Sequence, residues 1–151
     1  MTAALHLARE DDLERLLPLI EAYHSFEGIV QDAGTRRDAV LPLLSGSPYG
    51  AVWLIGPRQA PVGYIVITLG WSVEMGGMDA FVDEFFMRAN VRGRGMGSEV
   101  LNAMQKQLAE SGVKALHLEV GAENPRARAL YERCGFRLRD GYHLMTWHAD
   151  R

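Results

Sequence analysis

NVRGRGMGSE, residues 90–99, lies between an apolar run and a segment with helical spacing, and the fold can be predicted from it. Its glycines at 93, 95 and 97 permit backbone conformations that other residues rarely adopt, so that successive N–H groups can converge on an anion. A helix that begins directly behind this loop adds the partial positive charge of its N-terminus. The stretch therefore predicts a binding site for a diphosphate group.

Two common phosphate-binding loops do not fit this stretch. A P-loop ends in Gly-Lys-Ser/Thr, whereas Gly97 is followed by Ser98 and Glu99. A dinucleotide fingerprint has the spacing G-x-G-x-x-G after the first strand of a parallel unit, whereas here the spacing is G-x-G-x-G after a fourth strand. From the residues alone, a glycine-rich turn with solvated arginines is the remaining alternative to a diphosphate site.

The pattern of apolar residues around the loop predicts a mixed α/β fold. Short runs rich in β-branched and aromatic residues alternate with segments of helical spacing. In chain order, the sequence predicts a strand at 4–7, helices at 10–26 and 35–44, strands at 51–56, 61–70 and 79–88, a helix at 97–110, a strand at 113–120, a helix from 124, and strands at 136–140 and 142–148. Thr35 is the expected N-cap of the second helix, and Asn124 followed by Pro125 is the expected start of the last. The predicted architecture is a mostly antiparallel central sheet with helices on both faces.

Composition limits the class of protein. The chain has 151 residues, 48% hydrophobic and 23% charged, which predicts one globular domain over residues 1–151. A net charge of −3 argues against a nucleic-acid partner. No apolar stretch approaches the roughly 20 residues of a membrane span, and no signal peptide is apparent, so neither a membrane partner nor secretion is expected. The chain has one cysteine, Cys134, and its histidines do not have the spacing of metal ligands, so no metal site is expected. A single cysteine cannot form an internal disulfide, which is typical of a cytoplasmic protein.

A second motif, ALHLEVGAENPRARALYERCGF at residues 115–136, follows the glycine-rich loop. Together the two stretches resemble the GNAT N-acetyltransferase family, whose signature loop Gln/Arg-x-x-Gly-x-Gly/Ala is matched by Arg92, Gly95 and Gly97. Asn124, Tyr131 and the Gly-Phe pair at 135–136 match the family's second motif in order and spacing. The resemblance implies the acyl-CoA N-acyltransferase fold and acetyl-CoA as co-substrate.

The resemblance also implies a cofactor site. In the family, the loop amides bind the pyrophosphate, the strand end before the loop pairs with the pantetheine arm, and the last helix lies beside the thioester. The corresponding positions of this chain are Phe86, Met87, Arg92, Gly93, Arg94, Gly95, Met96, Gly97, Ser98, Asn124 and Tyr131. The amide of Met87 is the expected oxyanion donor.

Tyr131 is the predicted proton donor to the departing thiolate, because an unperturbed phenol has a pKa of about 10 and is neutral at pH 7. Candidates for the base are Glu74, Asp79, Asp83 and Glu84, with Glu119 a weaker one. Strand alternation puts Asp83 and Glu84 on opposite faces, and Glu84 occupies a commonly acidic position of the family pattern. Solvent could instead remove the proton. Residues 24–36, which include His24, Phe26, Glu27 and Asp32, match the segment that shapes the acceptor pocket in the family, although His24 itself is expected to be a helix-dipole partner.

The expected function is transfer of the acetyl group of acetyl-CoA to a primary amine by direct attack in a ternary complex. Several acids near the site favour a cationic small molecule as the acceptor. The alternatives are a non-catalytic acyl-CoA sensor and an enzyme that acetylates a protein lysine or N-terminus. The family resemblance, together with the apolar YHLMTW at 142–147, is compatible with a homodimer formed through the last strands, and a buried final strand of the same chain would have the same pattern.

Overall fold

The computed structural model describes residues 4–150 and confirms the predicted order of elements as far as the last helix. The elements are β1 (Leu5–Leu7), α1 (Leu13–Glu27), α2 (Ala33–Leu44), β2 (Gly50–Ile55), β3 (Gly63–Ser72), β4 (Gly77–Met87), α3 (Met96–Glu110), β5 (Ala115–His117) and α4 (Pro125–Arg133). Short 3-10 turns at Glu10–Asp12 and Ala89–Val91 precede α1 and the glycine-rich loop. In the part of the chain that the structure describes, no helix is both long and apolar enough to cross a bilayer.

The five strands form one sheet in the order β1-β2-β3-β4-β5. The pairs β1–β2, β2–β3 and β3–β4 are antiparallel, whereas β5 runs parallel to β4. Only three residue pairs join β4 to β5, from Asp79–Ala115 to Phe81–His117. Beyond Phe81 the two strands separate, so one edge of β4 is left open.

Alternation along the strands divides the core into two layers. Tyr64 and Val66 of β3 pack with α1 and α2 on one face, whereas Ile65 and Ile67 pack with α3 on the other. Because both faces are covered, β3 is apolar at consecutive positions and does not alternate between apolar and polar residues. The prediction of helices on both faces of a mostly antiparallel sheet is confirmed.

A β-bulge in β4 places two adjacent acids in different surroundings. Val66 of β3 pairs with Glu84 and Ile67 pairs with Val82, which leaves Asp83 without a partner in the register. A bulged residue is extra in its strand and redirects the side chains around it. The bulge therefore leaves Glu84 paired with β3 and Asp83 outside the pairing, so the two side chains have different surroundings.

Of three predicted element boundaries, two are wrong and one is confirmed. The N-cap of α2 is Asp32, not Thr35. The Asp32 carboxylate accepts one hydrogen bond from the Thr35 N–H at 2.9 Å and another from the Thr35 hydroxyl at 2.8 Å. Strand β5 covers Ala115–His117 only, not 113–120, because β4 moves away and offers no further backbone partner. Asn124 is confirmed as the N-cap of α4, its Oδ1 accepting the Ala127 N–H at 3.1 Å.

The two predicted last strands, 136–140 and 142–148, are wrong for this structure. Neither segment forms a ladder with β5 or with the other, and residues 137–150 are exposed. Alternating apolar residues favour an extended backbone, but a strand also requires a partner for its N–H and C=O groups. Within the described chain these residues have no such partner.

A buried ion cluster joins the start of α1 to the turn between β2 and β3. The Asp12 side chain is 1% exposed and bonds to the guanidinium groups of Arg15 and Arg58 and to the Arg9 N–H. Burial by itself raises the pKa of Asp12, but these hydrogen bonds outweigh it and hold the pKa below the usual range. The cluster connects segments 46 residues apart in sequence.

Replacing Asp12 with Asn should lower the free energy of unfolding by about 3 kcal/mol at pH 7, because the two arginines lose their buried counter-charge. A carboxyl with a depressed pKa stabilises the fold above its unfolded pKa and stops doing so as the pH falls through its folded pKa. The difference between wild type and variant, measured by urea unfolding, should therefore narrow below about pH 4. Asp11→Asn, at the exposed neighbouring position, is the matched control. An equal effect of the two substitutions would contradict the role of the cluster.

Candidate functional site

The candidate site is a cavity of about 410 Å³ at the place where β4 and β5 separate. The end of α1, the bulged part of β4, the segment after β5 and the start of α4 form its walls. The carboxyl groups of Glu27, Asp83 and Glu119 and the rings of Tyr23 and Tyr131 line it. Polar groups from four separate segments therefore converge on one space.

The open edge of β4 presents main-chain groups to this region. The Arg88 N–H donates to Val62 O at 2.8 Å, so it points toward β3. Because successive residues of a strand point to opposite edges, the N–H groups of Met87 and Phe85 point away from β3. The Met87 carbonyl confirms this direction, since it accepts a 2.8 Å bond from Arg92 Nε on the open side. The main chain of Phe86, which the family resemblance assigned to the cofactor site, instead faces β3 opposite Tyr64, so Phe85 takes its place at the open edge. An extended ligand could pair with this edge as a further strand would.

The glycine-rich loop leads directly into α3. Gly95 is the N-cap of α3 with φ +78°, and no side chain caps the helix. The first intrahelical donor is the N–H of Glu99, which bonds Gly95 O at 3.2 Å, so the amides of residues 96–98 precede the helical ladder. The amides and the helix dipole together make the loop suited to an anion.

Basic side chains surround this loop. Arg94 is exposed, and Arg126 of α4 lies over the loop, since a Cβ built on Gly93 would come within 3.2 Å of its Nη2. The guanidinium of Arg92 lies 5.2 Å from the ring centre of Phe26 and 5.5 Å from that of Phe86. Arg92 therefore connects the loop to the end of α1.

Tyr131 is placed on α4 with its side chain against the cavity, and its ring meets Phe136 edge-on at 6.0 Å. Burial, and then the negative charge of Glu27, raise the pKa of Tyr131 above its usual value. The phenol is therefore protonated and able to donate at neutral pH. Burial and nearby acids also raise the pKa of Tyr23, across the cavity on α1.

Glu84 is held by two buried partners. Its Oε1 accepts the Tyr64 hydroxyl at 2.8 Å, and its Oε2 lies 2.6 Å from His24 Nε2. The side chain of His24 is 7% exposed and that of Glu84 is 18% exposed. Both carboxylate oxygens are thus committed to the contact between α1, β3 and β4.

Asp83, by contrast, borders the cavity and is open to solvent at its mouth. The protein atoms around its carboxyl raise its pKa, and the charge of His24 partly offsets this effect. A carboxylate with a raised pKa is a stronger base than an ordinary surface aspartate.

Of the remaining three base candidates, Glu119 lines the cavity, whereas Glu74 and Asp79 do not. Glu74 lies in the turn between β3 and β4 and forms an exposed ion pair with Arg139 at 3.0 Å. Asp79 pairs with His117 at 3.2 Å and ties β4 to β5 below the separation. Between residues 4 and 150 no three His, Cys, Asp or Glu side chains are grouped as metal ligands would be.

Sequence reasoning missed the contact of His24 with Glu84 and the position of Tyr23 on the cavity wall. His24 has a recognisable signal, because it follows Leu16 and Ile20 at intervals of four along the buried face of α1. A histidine on such a face needs a buried partner. The partner, however, is 60 residues away and cannot be identified from α1 alone.

Comparison with known proteins identifies the family. Residues 13–136 match the model of the acetyltransferase (GNAT) family. An uncharacterized N-acetyltransferase of Methanocaldococcus jannaschii is 30% identical over 89% of this chain and 61% of its own length, and one of Bacillus subtilis is 36% identical over 67% and 64%. The chain therefore spans less than two thirds of these relatives.

The structure of an integron cassette protein from the mobile metagenome of a salt marsh superimposes with a TM-score of 0.82 at 32% identity, covering 96% of this chain and 90% of that one. This chain belongs to the GNAT acetyltransferase family, and its fold is the family's mixed α/β fold.

Proposed function

We propose that this chain transfers the acetyl group of acetyl-CoA to a primary amine by direct attack in a ternary complex. The observation that carries the proposal is that one cavity contains a neutral tyrosine, Tyr131, and a carboxyl with a raised pKa, Asp83, beside the open edge of β4. Family membership and the N-acetyltransferase relatives support acetyl transfer as the reaction.

The residues present fit acetyl-CoA as the co-substrate. The amides of residues 96–98, together with Arg94 and Arg126, would hold its pyrophosphate, since they combine N–H donors with positive charge at one helix start. The outward N–H and C=O groups of Phe85 would pair with the amides of the pantetheine arm, which leaves the outward Met87 N–H for the thioester carbonyl. When bound, acetyl-CoA supplies the acyl group as a thioester.

Asp83, Met87 and Tyr131 would then divide the chemistry. Asp83 accepts a proton from the ammonium group of the acceptor, which frees the nitrogen lone pair to attack the thioester carbon. The Met87 N–H donates to the carbonyl oxygen as it becomes negative. As the new C–N bond forms and the C–S bond breaks, Tyr131 donates its phenolic proton to the sulfur. The nitrogen releases its second proton to solvent, and solvent returns a proton to Tyr131, so the phenol is restored. In this scheme Glu84, whose oxygens are already bonded, positions α1 against β4 and does not act as the base.

The acceptor is proposed to be a cationic small molecule such as a polyamine. Three carboxyl groups, those of Glu27, Asp83 and Glu119, line a small cavity and would favour positively charged ligands.

Purified protein should therefore convert polyamines to mono-acetylated products in the presence of acetyl-CoA. The kcat/KM for polyamines should be at least about tenfold above that for neutral amines of equal size. A neutral amine loses at least one charge contact with the carboxylates, and a loss of about 1.4 kcal/mol corresponds to tenfold. Products would be identified by mass across polyamines, amino sugars, amino acids and lysine peptides. If acetyl-CoA binds but no amine in the panel reacts, the enzyme proposal fails and a non-catalytic acyl-CoA sensor replaces it.

Replacing Tyr131 with Phe removes only the phenolic hydroxyl. The substitution should lower kcat by about 100-fold, in the range of general-acid effects, and leave the Kd for acetyl-CoA nearly unchanged. Tyr49→Phe, in the exposed turn before β2, is the matched control. Full turnover in Tyr131→Phe would exclude this residue as the proton donor.

The pH dependence of kcat/KM tests Asp83. Because its pKa is raised, activity should fall as the pH drops through a value above the ordinary 3.9 of aspartate. In Asp83→Asn we expect kcat/KM at neutral pH to fall at least about tenfold and this acidic limb to disappear. Asp38→Asn, on the exposed side of α2, should retain both. An unchanged acidic limb in Asp83→Asn would assign the titration to another group.

A further inference from the structure

The side chain of Arg92 is bonded to groups of the protein itself. Its Nε donates to the Met87 carbonyl at 2.8 Å, on the open side of β4. Its guanidinium lies 5.2 Å from the ring centre of Phe26 and 5.5 Å from that of Phe86, and both distances are within the range of cation–π contacts. A planar guanidinium can stack on a ring and donate a directed hydrogen bond, whereas an ammonium group is a compact point charge. This set of contacts therefore requires an arginine.

The two rings that Arg92 contacts belong to different parts of the fold. Phe86 is 8% exposed and packs against the rings of Tyr23 and Tyr64 in the core layer beneath α1. Phe26, in the last turn of α1, is 65% exposed. The Arg92 guanidinium thus joins an exposed ring of α1 to the glycine-rich loop.

The end of α1 also carries residues of the candidate site. Tyr23 and Glu27, four residues apart, both line the cavity where β4 and β5 separate, and Phe26 is adjacent to Glu27. The helix ends directly after them, where the Ile29 N–H donates to the His24 carbonyl at 2.8 Å. A terminal turn frays more readily than the middle of a helix. A contact made by Phe26 therefore limits the movement of the turn that carries Glu27.

The other end of this connection is the loop that fits a diphosphate. Arg92 is followed by Gly93 and Gly95, whose φ angles are +79° and +78°. Glycines allow the backbone many conformations, so the loop loses much entropy when it is ordered. An anion bonded to the amides of residues 96–98 orders the loop, and with it Arg92. A segment that contacts an ordered neighbour then loses less entropy when it binds a ligand of its own.

We propose that Arg92 is a positioning residue that couples the glycine-rich loop to the end of α1. When a diphosphate occupies the loop, Arg92 is held against Phe26, and the end of α1 is fixed around the acceptor. In this role the Arg92 side chain acts through Phe26, while the amides of the loop hold the diphosphate. The identity of the two ligands, acetyl-CoA and an amine, rests on the proposed function. Coupling between two sites is reciprocal and typically about 5–150-fold, and one exposed contact should lie at the lower end of that range.

The test is hydrogen exchange of the amides in residues 26–31, measured with and without coenzyme A. In the wild type, coenzyme A should slow exchange in this segment about fivefold, and it should also slow exchange at residues 96–99. Arg92→Lys keeps the charge but removes the planar group, and Phe26→Leu keeps an apolar side chain but removes the ring. In each variant the slowing at 26–31 should be lost, while the slowing at 96–99 remains. Arg88→Lys, at an exposed arginine directly after β4, is the matched control and should behave as the wild type does.

A double-mutant cycle adds a readout that a purely structural role would not change. With an acceptor that the amine panel identifies, Arg92→Lys and Phe26→Leu should each raise the KM for the amine about fivefold and change kcat less than about twofold. The double variant should be no worse than either single variant, because both substitutions remove the same contact. Additive effects would mean that the two residues act separately, which would overturn the coupling.

Other results of the exchange measurement would also overturn the coupling. Slowing at 96–99 but not at 26–31 in the wild type would mean that the loop binds its ligand independently of α1. Slowing at 26–31 that persists in both variants would mean that another contact fixes the helix end. If Arg92→Lys also loses the slowing at 96–99, the Arg92 side chain is itself a ligand of the diphosphate.

The same measurement separates this proposal from the proposed function. If coenzyme A slows exchange nowhere in the wild type, the proposed function fails and the coupling fails with it. Hydrogen exchange does not depend on acetyl transfer, so a protein that binds coenzyme A but acetylates no amine in the panel would still confirm or overturn the coupling.

Discussion

The separation of β4 from β5 is the constraint on which the rest of the site depends. Three residue pairs join the two strands, and beyond Phe81 they no longer pair with each other. Unpaired backbone groups inside a fold cost free energy unless a ligand or water satisfies them. A GNAT chain can therefore offer main-chain groups to a ligand before any side chain contributes. Tyr131 and Asp83 both line the cavity that this separation opens.

The bulge in β4 places the neighbouring acids Asp83 and Glu84 in different surroundings. Glu84 faces α1, where Tyr64 and His24 occupy its oxygens, and its removal from water is compensated by those bonds. Asp83, without a register partner, borders the cavity. A regular strand would point alternate residues to opposite faces of the sheet, whereas the bulge adds a residue that borders the open edge. One extra residue in a strand thus provides both a buried support and a cavity-lining carboxyl.

Features determined by local sequence were predictable, and features determined by distant partners were not. The glycine-rich turn before α3, the Asn124-Pro125 helix start and the order of elements as far as α4 depend on neighbouring residues, and each agrees with the structure. The contact between His24 and Glu84 and the position of Asp83 depend on the register of β3 and β4 and on the packing of α1. The prediction of the last two strands was wrong for the same reason. Alternation of apolar and polar residues is a property of one segment, whereas a β-ladder requires two segments that pair.

The tight approach of α3 to α4 limits how this protein can change over time. A Cβ on Gly97 would lie 3.2 Å from the side chain of Leu130 and 3.7 Å from that of Met87, so the start of α3, the middle of α4 and the end of β4 meet at a point where an added methyl group would require the Leu130 side chain to move. Leu130 is adjacent to Tyr131, and Gly97 belongs to the glycine-rich loop. A mutation that enlarges the side chain at residue 97 would shift the glycine-rich loop and Tyr131 together. Through this contact, the loop and the tyrosine cannot be altered independently of each other.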